Sequence, residues 1–146
     1  IGLGNLQFNS DDCEQAITSF RTACEIDPRN AVALNNLAYL YGDCLNDSSQ
    51  GLRYSQQAVE FQPNNSAFLD TLGSLLLKSG QYKESRESLL RSIRLQSTAS
   101  NNLHMAQLLA EEGRDEEARS YLQRAGELSP NAREQNQINS LIESLD

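Results

Sequence analysis

The sequence is short of the residues on which metal sites and nucleic-acid binders depend. It has no tryptophan, one histidine and three cysteines, and 12 basic residues stand against 20 acidic ones, for a net charge of −8. No basic stripe is present, so nucleic acid is not an expected partner. Apolar runs are short: Leu75-Leu76-Leu77 is one of them, and none exceeds five residues. A membrane span needs about 20 apolar residues, so direct membrane insertion is not expected either.

Groups of residues that carry catalysis are also missing. His104 has no second histidine four residues away, as a zinc-binding helix would, and no GxSxG or phosphate-binding glycine loop occurs. We therefore predict that the chain is not an enzyme and that it has no catalytic residue, no cofactor and no metal ion.

The three cysteines, Cys13, Cys24 and Cys44, match no metal-binding or CxxC spacing. We interpret them as small, half-buried helix residues. An odd number favours a reducing compartment such as the cytoplasm over an oxidising one, with a bacterial periplasm or envelope as the alternative.

The sequence repeats with a period of about 34 residues. One series of small residues recurs at this spacing through the chain. Two other series, one of prolines and one of pairs that resemble Leu-Gly, recur at the same spacing and in step with the first. The first series is Ala23, Ala58, Ser92 and Ala125. Such a period is typical of stacked helical repeats.

Each period contains two helical segments and two turns. We predict units at residues 1–30, 31–65, 66–98 and 99–132, followed by a final helix at 131–145. Proline ends the second helices near Pro28, Pro63 and Pro130. The next helices then have an N-cap candidate, and these candidates are Asn30, Asn65 and Asn131. The second unit is one residue longer than the period, in the turn near 45–50, which is either drift in loop length or a local contact site.

Gly73 lies inside the apolar helix that contains Leu69, Leu72 and Leu76. Glycine in a helix interior costs up to about 1 kcal/mol relative to alanine. We expect this cost to be offset by close packing, because two helices joined by a short turn lie antiparallel and a small residue lets the second helix approach.

These residues resemble the tetratricopeptide repeat, a 34-residue helix-turn-helix unit. The second unit matches with Leu37, Ala38, Tyr41, Ala58 and Pro63, and the other units match at equivalent positions. The resemblance implies an all-α, right-handed α-solenoid of about four repeats plus a C-terminal capping helix, forming one domain over residues 1–146. It also implies a concave groove lined by the first helix of each unit.

The resemblance further implies a protein–protein interaction scaffold that binds a peptide or protein segment in this groove. The candidate groove residues are polar and fall at matched positions of the first helices. They are Asn5, Asn9, Asn35, Asn36, Tyr39, Asp70, Ser74, Lys78, His104, Gln107 and Glu111. Tyr39, Ser74 and Gln107 follow Asn5 at about one repeat each, so a row along the groove is expected. A merely solvated face is the alternative.

Two other functions remain open at this point: a substrate-recruiting segment of a larger enzyme, and a self-assembly module. The final helix has an apolar stripe of Ile138, Leu141, Ile142 and Leu145 that suits a cap, although a groove-filling or partner-binding helix fits the same pattern. The chain begins at Ile1 in the middle of a helical pattern. We therefore expect a piece of a longer protein, with an uncapped N-terminal end through which two copies could associate.

Overall fold

The computed structural model describes residues 10–146, which form helices joined by short turns. The helices are α1 (Ser10–Ile26), α2 (Ala31–Tyr39), α3 (Ser48–Phe61), α4 (Ser66–Lys78), α5 (Tyr82–Leu95), α6 (Ala99–Glu111), α7 (Asp115–Glu127) and α8 (Ala132–Leu145). No strand occurs among these residues, and the predicted all-α repeat solenoid is confirmed. The expected first helix of the first unit, and with it the N-terminal end, lies outside the described residues.

Consecutive helices pack as pairs. The α2–α3, α4–α5 and α6–α7 contacts are the most extensive in the described part of the chain, and α8 packs on both α6 and α7. The first helices of successive pairs also touch, α2 with α4, α4 with α6 and α6 with α8. We call the surface shared by α2, α4, α6 and α8 the inner face. None of the eight helices is long and apolar enough to cross a bilayer.

The predicted N-caps are confirmed. The side-chain oxygens of Asn30 and Asn65 accept from the backbone N–H groups of Ala33 and Phe68, at 3.0 and 3.1 Å. Asn131 forms a full capping box with Glu134. Each of these asparagines satisfies a backbone donor that has no partner inside its helix, so the starts of α2, α4 and α8 are fixed by local sequence.

Apolar side chains are buried in a series of small clusters along the chain rather than in one round core. The cluster at the C-terminal end includes Leu103, Leu108, Leu122 and Ile138 of α6, α7 and α8. Such serial burial is what stacked helix pairs require, since one pair cannot cover its own apolar face. The expected apolar stripe of α8 is wrong at one position, because the side chain of Ile142 is 38% exposed.

Close approach of α4 and α5 explains Gly73. A Cβ atom at this position would lie 2.6 Å from Cγ of Leu89, which is fully buried in α5. Three serine hydroxyls of α5 also donate to backbone oxygens of α4. Ser85 donates to Gly73 O at 2.7 Å, Ser88 to Leu69 O at 2.8 Å and Ser92 to Ser66 O at 2.7 Å.

The extra residue of the second unit is absorbed by a helix and not only by the turn near 45–50. The end of α2 widens into a π-helical turn, Leu40–Cys44, before the chain reaches α3. A π-turn accommodates one additional residue without breaking the helix. This turn carries Asp43, which is not among the residues predicted for the groove.

The interpretation of the cysteines is wrong for two of them. Cys13 of α1 and Cys44 of the π-helical turn form a disulfide, with their Cα atoms 6.3 Å apart, and Cys24 is the free thiol. Cys13 is fully buried rather than half-buried. With one bridge and one thiol, the odd number of cysteines no longer argues for a reducing compartment.

Candidate functional site

The nine described candidates for the groove lie on helices that form the inner face. Asn35, Asn36 and Tyr39 lie on α2, Asp70, Ser74 and Lys78 on α4, and His104, Gln107 and Glu111 on α6. Asn5 and Asn9 lie outside the described residues. The nine described positions do not share one role, because some are paired with each other and others are open to solvent.

A charge cluster of Tyr39, Asp43, Lys78 and Arg133 joins three helices. The Lys78 ammonium donates to Oδ1 of Asp43, and a guanidinium nitrogen of Arg133 donates to Oδ2 of Asp43 at 3.0 Å. The other terminal nitrogen of Arg133 donates to the Tyr39 hydroxyl. Arg133 is on α8, whereas Tyr39 ends α2 and Asp43 lies about one helical turn later, in the π-helical turn. The last helix therefore contacts the second unit across the inner face.

The charge cluster shifts the pKa values of its members. Burial disfavours the Asp43 carboxylate, but the Lys78 ammonium and then the Arg133 guanidinium outweigh it, so the pKa of Asp43 is lowered. Burial raises the pKa of the Tyr39 phenol, and the Asp43 charge adds to that rise. The Asp43 carboxylate and the Tyr39 hydroxyl oxygen are both acceptors for Arg133.

A second polar group lies beside the charge cluster. The Asp70 carboxylate accepts from the Ser100 hydroxyl through Oδ2, and its Oδ1 lies 2.6 Å from Nδ1 of His104. Burial lowers the pKa of His104, but the charge of Asp70 and its hydrogen bond outweigh burial, so the pKa of His104 is raised. The imidazole is therefore held as a partner of a buried carboxylate.

Serine, histidine and aspartate meet here without forming a hydrolytic triad. In a triad the histidine lies between serine and aspartate and accepts the serine proton. Here Asp70 lies in the middle and the Ser100 hydroxyl donates to it instead. The arrangement holds α4 and α6 together. In the part of the chain that the structure describes, no group of histidine, cysteine and acidic side chains is suited to a metal ion.

The open part of the inner face is a polar trough. A cavity of about 520 Å³ lies between α6 and α8, and its lining includes Gln107, Arg133, Asn136, Gln137 and Ser140. A second cavity of about 410 Å³ shares Gln107 and extends to Lys78, Tyr82 and Glu111. We use the name polar trough for these two cavities together.

A much smaller cavity of about 80 Å³ is also bordered by Arg133. Its lining includes Tyr39, Asp43, Ser100, His104 and Glu134. At this volume it holds a few waters at most and no peptide segment. Arg133 and Gln137 line both the small cavity and the trough, so these two side chains lie between them.

The remaining predicted residues contribute less to a binding surface. The Ser74 hydroxyl donates to Thr71 O of its own helix at 3.0 Å. The side-chain oxygen of Asn35 is buried without a hydrogen-bond partner. Asn36 is half-buried on α2. Among the described residues of the predicted row, Gln107 lines the two larger cavities and Tyr39 lines the small one.

Sequence reasoning missed the contribution of α8, although the signal was present. Ser140 lies 33 residues after Gln107 and Gln137 lies 33 residues after His104, so one more step of the repeat leads to both. The apolar stripe of α8 predicted a cap, and the polar row was not extended into this helix. In the structure α8 caps the last cluster with Ile138 and also lines the trough.

Comparisons with known proteins identify similar chains. A family model described as TPR repeat matches residues 4–43, and one described as tetratricopeptide repeat matches residues 71–133. No curated protein matches the sequence.

Solved structures show the same fold. A crystal structure of MamA is 17% identical, with a TM-score of 0.71 over 95% of this chain and 86% of that one. TTC0263, a TPR protein of Thermus thermophilus, is 19% identical, with a TM-score of 0.75 over 89% of this chain and 73% of that one. YrrB, titled a TPR protein with an unusual peptide-binding site, is 21% identical, with a TM-score of 0.66 over 86% of this chain and 65% of that one.

Proposed function

The chain belongs to the tetratricopeptide repeat family, and from that premise we propose that it is a non-catalytic scaffold that binds an extended peptide segment in the polar trough. Proteins of this family generally mediate protein–protein interactions. The trough is the place on the inner face where open space and polar side chains coincide.

One observation carries the proposal. The trough between α6 and α8 is lined by amides and hydroxyls, among them Gln107, Asn136, Gln137 and Ser140, over a cavity of about 520 Å³. A side-chain amide has both a donor and an acceptor, so it pairs with the N–H and C=O groups of an extended backbone whatever the peptide sequence. Leu141 adds an apolar contact in the same cavity. The solved structure titled for its unusual peptide-binding site is a relative in fold and supports the same class of ligand.

A test begins with peptides selected on the 146-residue chain from an unbiased library. Gln107→Ala combined with Gln137→Ala removes two amides from the trough. At about 0.5–1.5 kcal/mol for each hydrogen bond, we expect the Kd of selected peptides to rise between about fivefold and about 150-fold. Calorimetry measures the affinity, and the side-chain NH₂ signals of Gln107 and Gln137 are expected to shift in NMR spectra when peptide is added.

Gln135→Ala is the matched control, because Gln135 is on the same helix but donates to Asn139 at 2.9 Å instead of lining the trough. This variant is expected to bind as the wild type does. The proposal is rejected when selected peptides bind the double variant and the wild type equally well.

A further inference from the structure

The inner face of α2 holds a guanidinium group from a distant part of the chain. Arg133 is separated by 94 residues from Tyr39 and by 90 from Asp43, its two acceptors. The side chain of Arg133 is 38% exposed, so it is not part of an apolar core. The contact is therefore polar and partly open to solvent.

The geometry of this site suits arginine better than lysine. One terminal nitrogen of Arg133 donates to the Tyr39 hydroxyl and the other donates to Oδ2 of Asp43. A guanidinium group presents these donors in one rigid plane, whereas an ammonium group is a point charge on a flexible stem. Lys78 already takes Oδ1 of Asp43, which leaves Oδ2 for a second cation.

The site is reached from the polar trough. Arg133 and Gln137 line both the trough and the 80 Å³ cavity, so withdrawal of the Arg133 side chain would widen the passage between the two spaces. Asp43 and Glu134 contribute negative charge to the lining of the small cavity, and His104 lines it as well. The net charge of −8 favours the approach of a cationic segment.

We propose that Tyr39 and Asp43 form a receptor for an arginine side chain of a bound peptide, and that Arg133 occupies this receptor as an intramolecular competitor until the peptide displaces it. The inference rests on the proposed function, since the peptide backbone would lie in the trough while its arginine enters the receptor. Arg133 therefore tunes affinity and selects for basic partners.

Arg133→Ala in the 146-residue chain tests the proposal. The probe is the blocked peptide acetyl-Gly-Ser-Arg-Ser-Gly-amide, compared with its lysine counterpart, and binding is followed by NMR titration. A receptor that is free one tenth of the time binds about tenfold more weakly than one that is always free. We expect the variant to bind the arginine peptide about tenfold more tightly than the wild type does, with shifts at the Tyr39 ring and the His104 imidazole.

Two further variants test whether the gain in affinity depends on Asp43 and is specific to Arg133. Adding Asp43→Asn to Arg133→Ala is expected to abolish the gain, because the carboxylate acceptor is removed. Arg119→Ala is the matched control, since Arg119 also holds α8, through Leu145 O and Asp146, but does not line the trough or the small cavity. It is expected to bind both peptides as the wild type does.

Thermal melting checks that each variant is folded. If Arg133→Ala is not folded, Arg133→Lys keeps a cation but fills only one acceptor, and it is expected to show a smaller gain in the same direction. The receptor is rejected when a folded variant at position 133 binds the arginine peptide no more tightly than the wild type, or binds the lysine peptide equally well. If the receptor is rejected but peptides still bind in the trough, the proposed function stands. If peptides bind nowhere on the inner face, the receptor and the proposed function are both rejected.

Discussion

Gly73 of α4 faces Leu89 of α5 at a distance that leaves no room for a side chain. A Cβ atom added at position 73 would lie 2.6 Å from Cγ and 2.7 Å from Cδ2 of Leu89. The glycine that weakens the helix on its own is therefore what lets the two helices of the third unit pack.

The first prediction concerns this contact. Gly73→Ala is expected to lower the free energy of unfolding by about 1–3 kcal/mol, because Leu89 is fully buried and has little space into which to move. Gly126→Ala on α7 is the control, since its Cβ would meet no atom within 4 Å and alanine favours the helix. Urea denaturation measures both, and a variant at 73 as stable as the wild type would contradict the packing described.

The second prediction concerns the serines between α4 and α5. Ser88→Ala removes a buried hydroxyl that donates to Leu69 O at 2.8 Å. A hydrogen bond of this kind contributes about 0.5–1.5 kcal/mol, so we expect a loss of that size in urea denaturation. Ser120→Ala on α7 removes a solvent-exposed hydroxyl and is expected to change stability by less than about 0.5 kcal/mol. Equal effects of the two substitutions would argue against the hydrogen bonds.

The third prediction concerns pH. The pKa of His104 is raised in the folded protein above its ordinary value of 6.5, so the folded state binds the proton more tightly than the unfolded chain does. The stability that this provides is fully present below about pH 6.5 and is lost as the pH rises through the folded-state pKa. Charged groups facing the imidazole are Asp70, Asp43 and Lys78.

His104→Gln removes this titration, so the stability difference between wild type and variant is expected to shrink as the pH rises from below 6.5 through the folded-state pKa. Chemical denaturation at a series of pH values gives that difference. Because the chain has one histidine, its Cε1 proton signal also reports the pKa directly. A midpoint below 6.5 would contradict the Asp70 contact.

The fourth prediction concerns the cysteines. Protein denatured without reductant is expected to show one reactive thiol, that of Cys24, and three after reduction. Cys13→Ser combined with Cys44→Ser is expected to lower the free energy of unfolding by about 3–4 kcal/mol, because the unfolded chain gains conformational freedom when its loop is no longer closed. Cys24→Ser is the control and leaves the bridge in place. Three thiols before reduction would show that the two cysteines are not joined.

The fold was predictable because its determinants are local. Asn30, Asn65 and Asn131 cap helices through hydrogen bonds to groups three residues ahead, and such pairs are visible in sequence. The position of Gly73 within an apolar helix likewise predicted close helix packing, which needs only the neighbouring helix.

The site was predictable only in part, because its main contacts are remote in sequence. Nothing near Arg133 indicates that its acceptors lie 90 and 94 residues earlier. The distance across the inner face depends on how several helix pairs stack, which no single repeat encodes. The pairing of Cys13 with Cys44 was missed for a similar reason, since 31 residues and a turn separate them.

The π-helical turn at Leu40–Cys44 gives the second unit a different rotational register from its neighbours. Each residue of an α-helix turns by about 100°, so deleting one residue before Asp43 would swing its carboxylate away from both cations. Shortening this unit to the common period would thus make the array more regular but remove the contacts of Asp43 with Lys78 of α4 and Arg133 of α8. The irregular second unit therefore gives this protein an inner-face contact that a unit of regular length would not form.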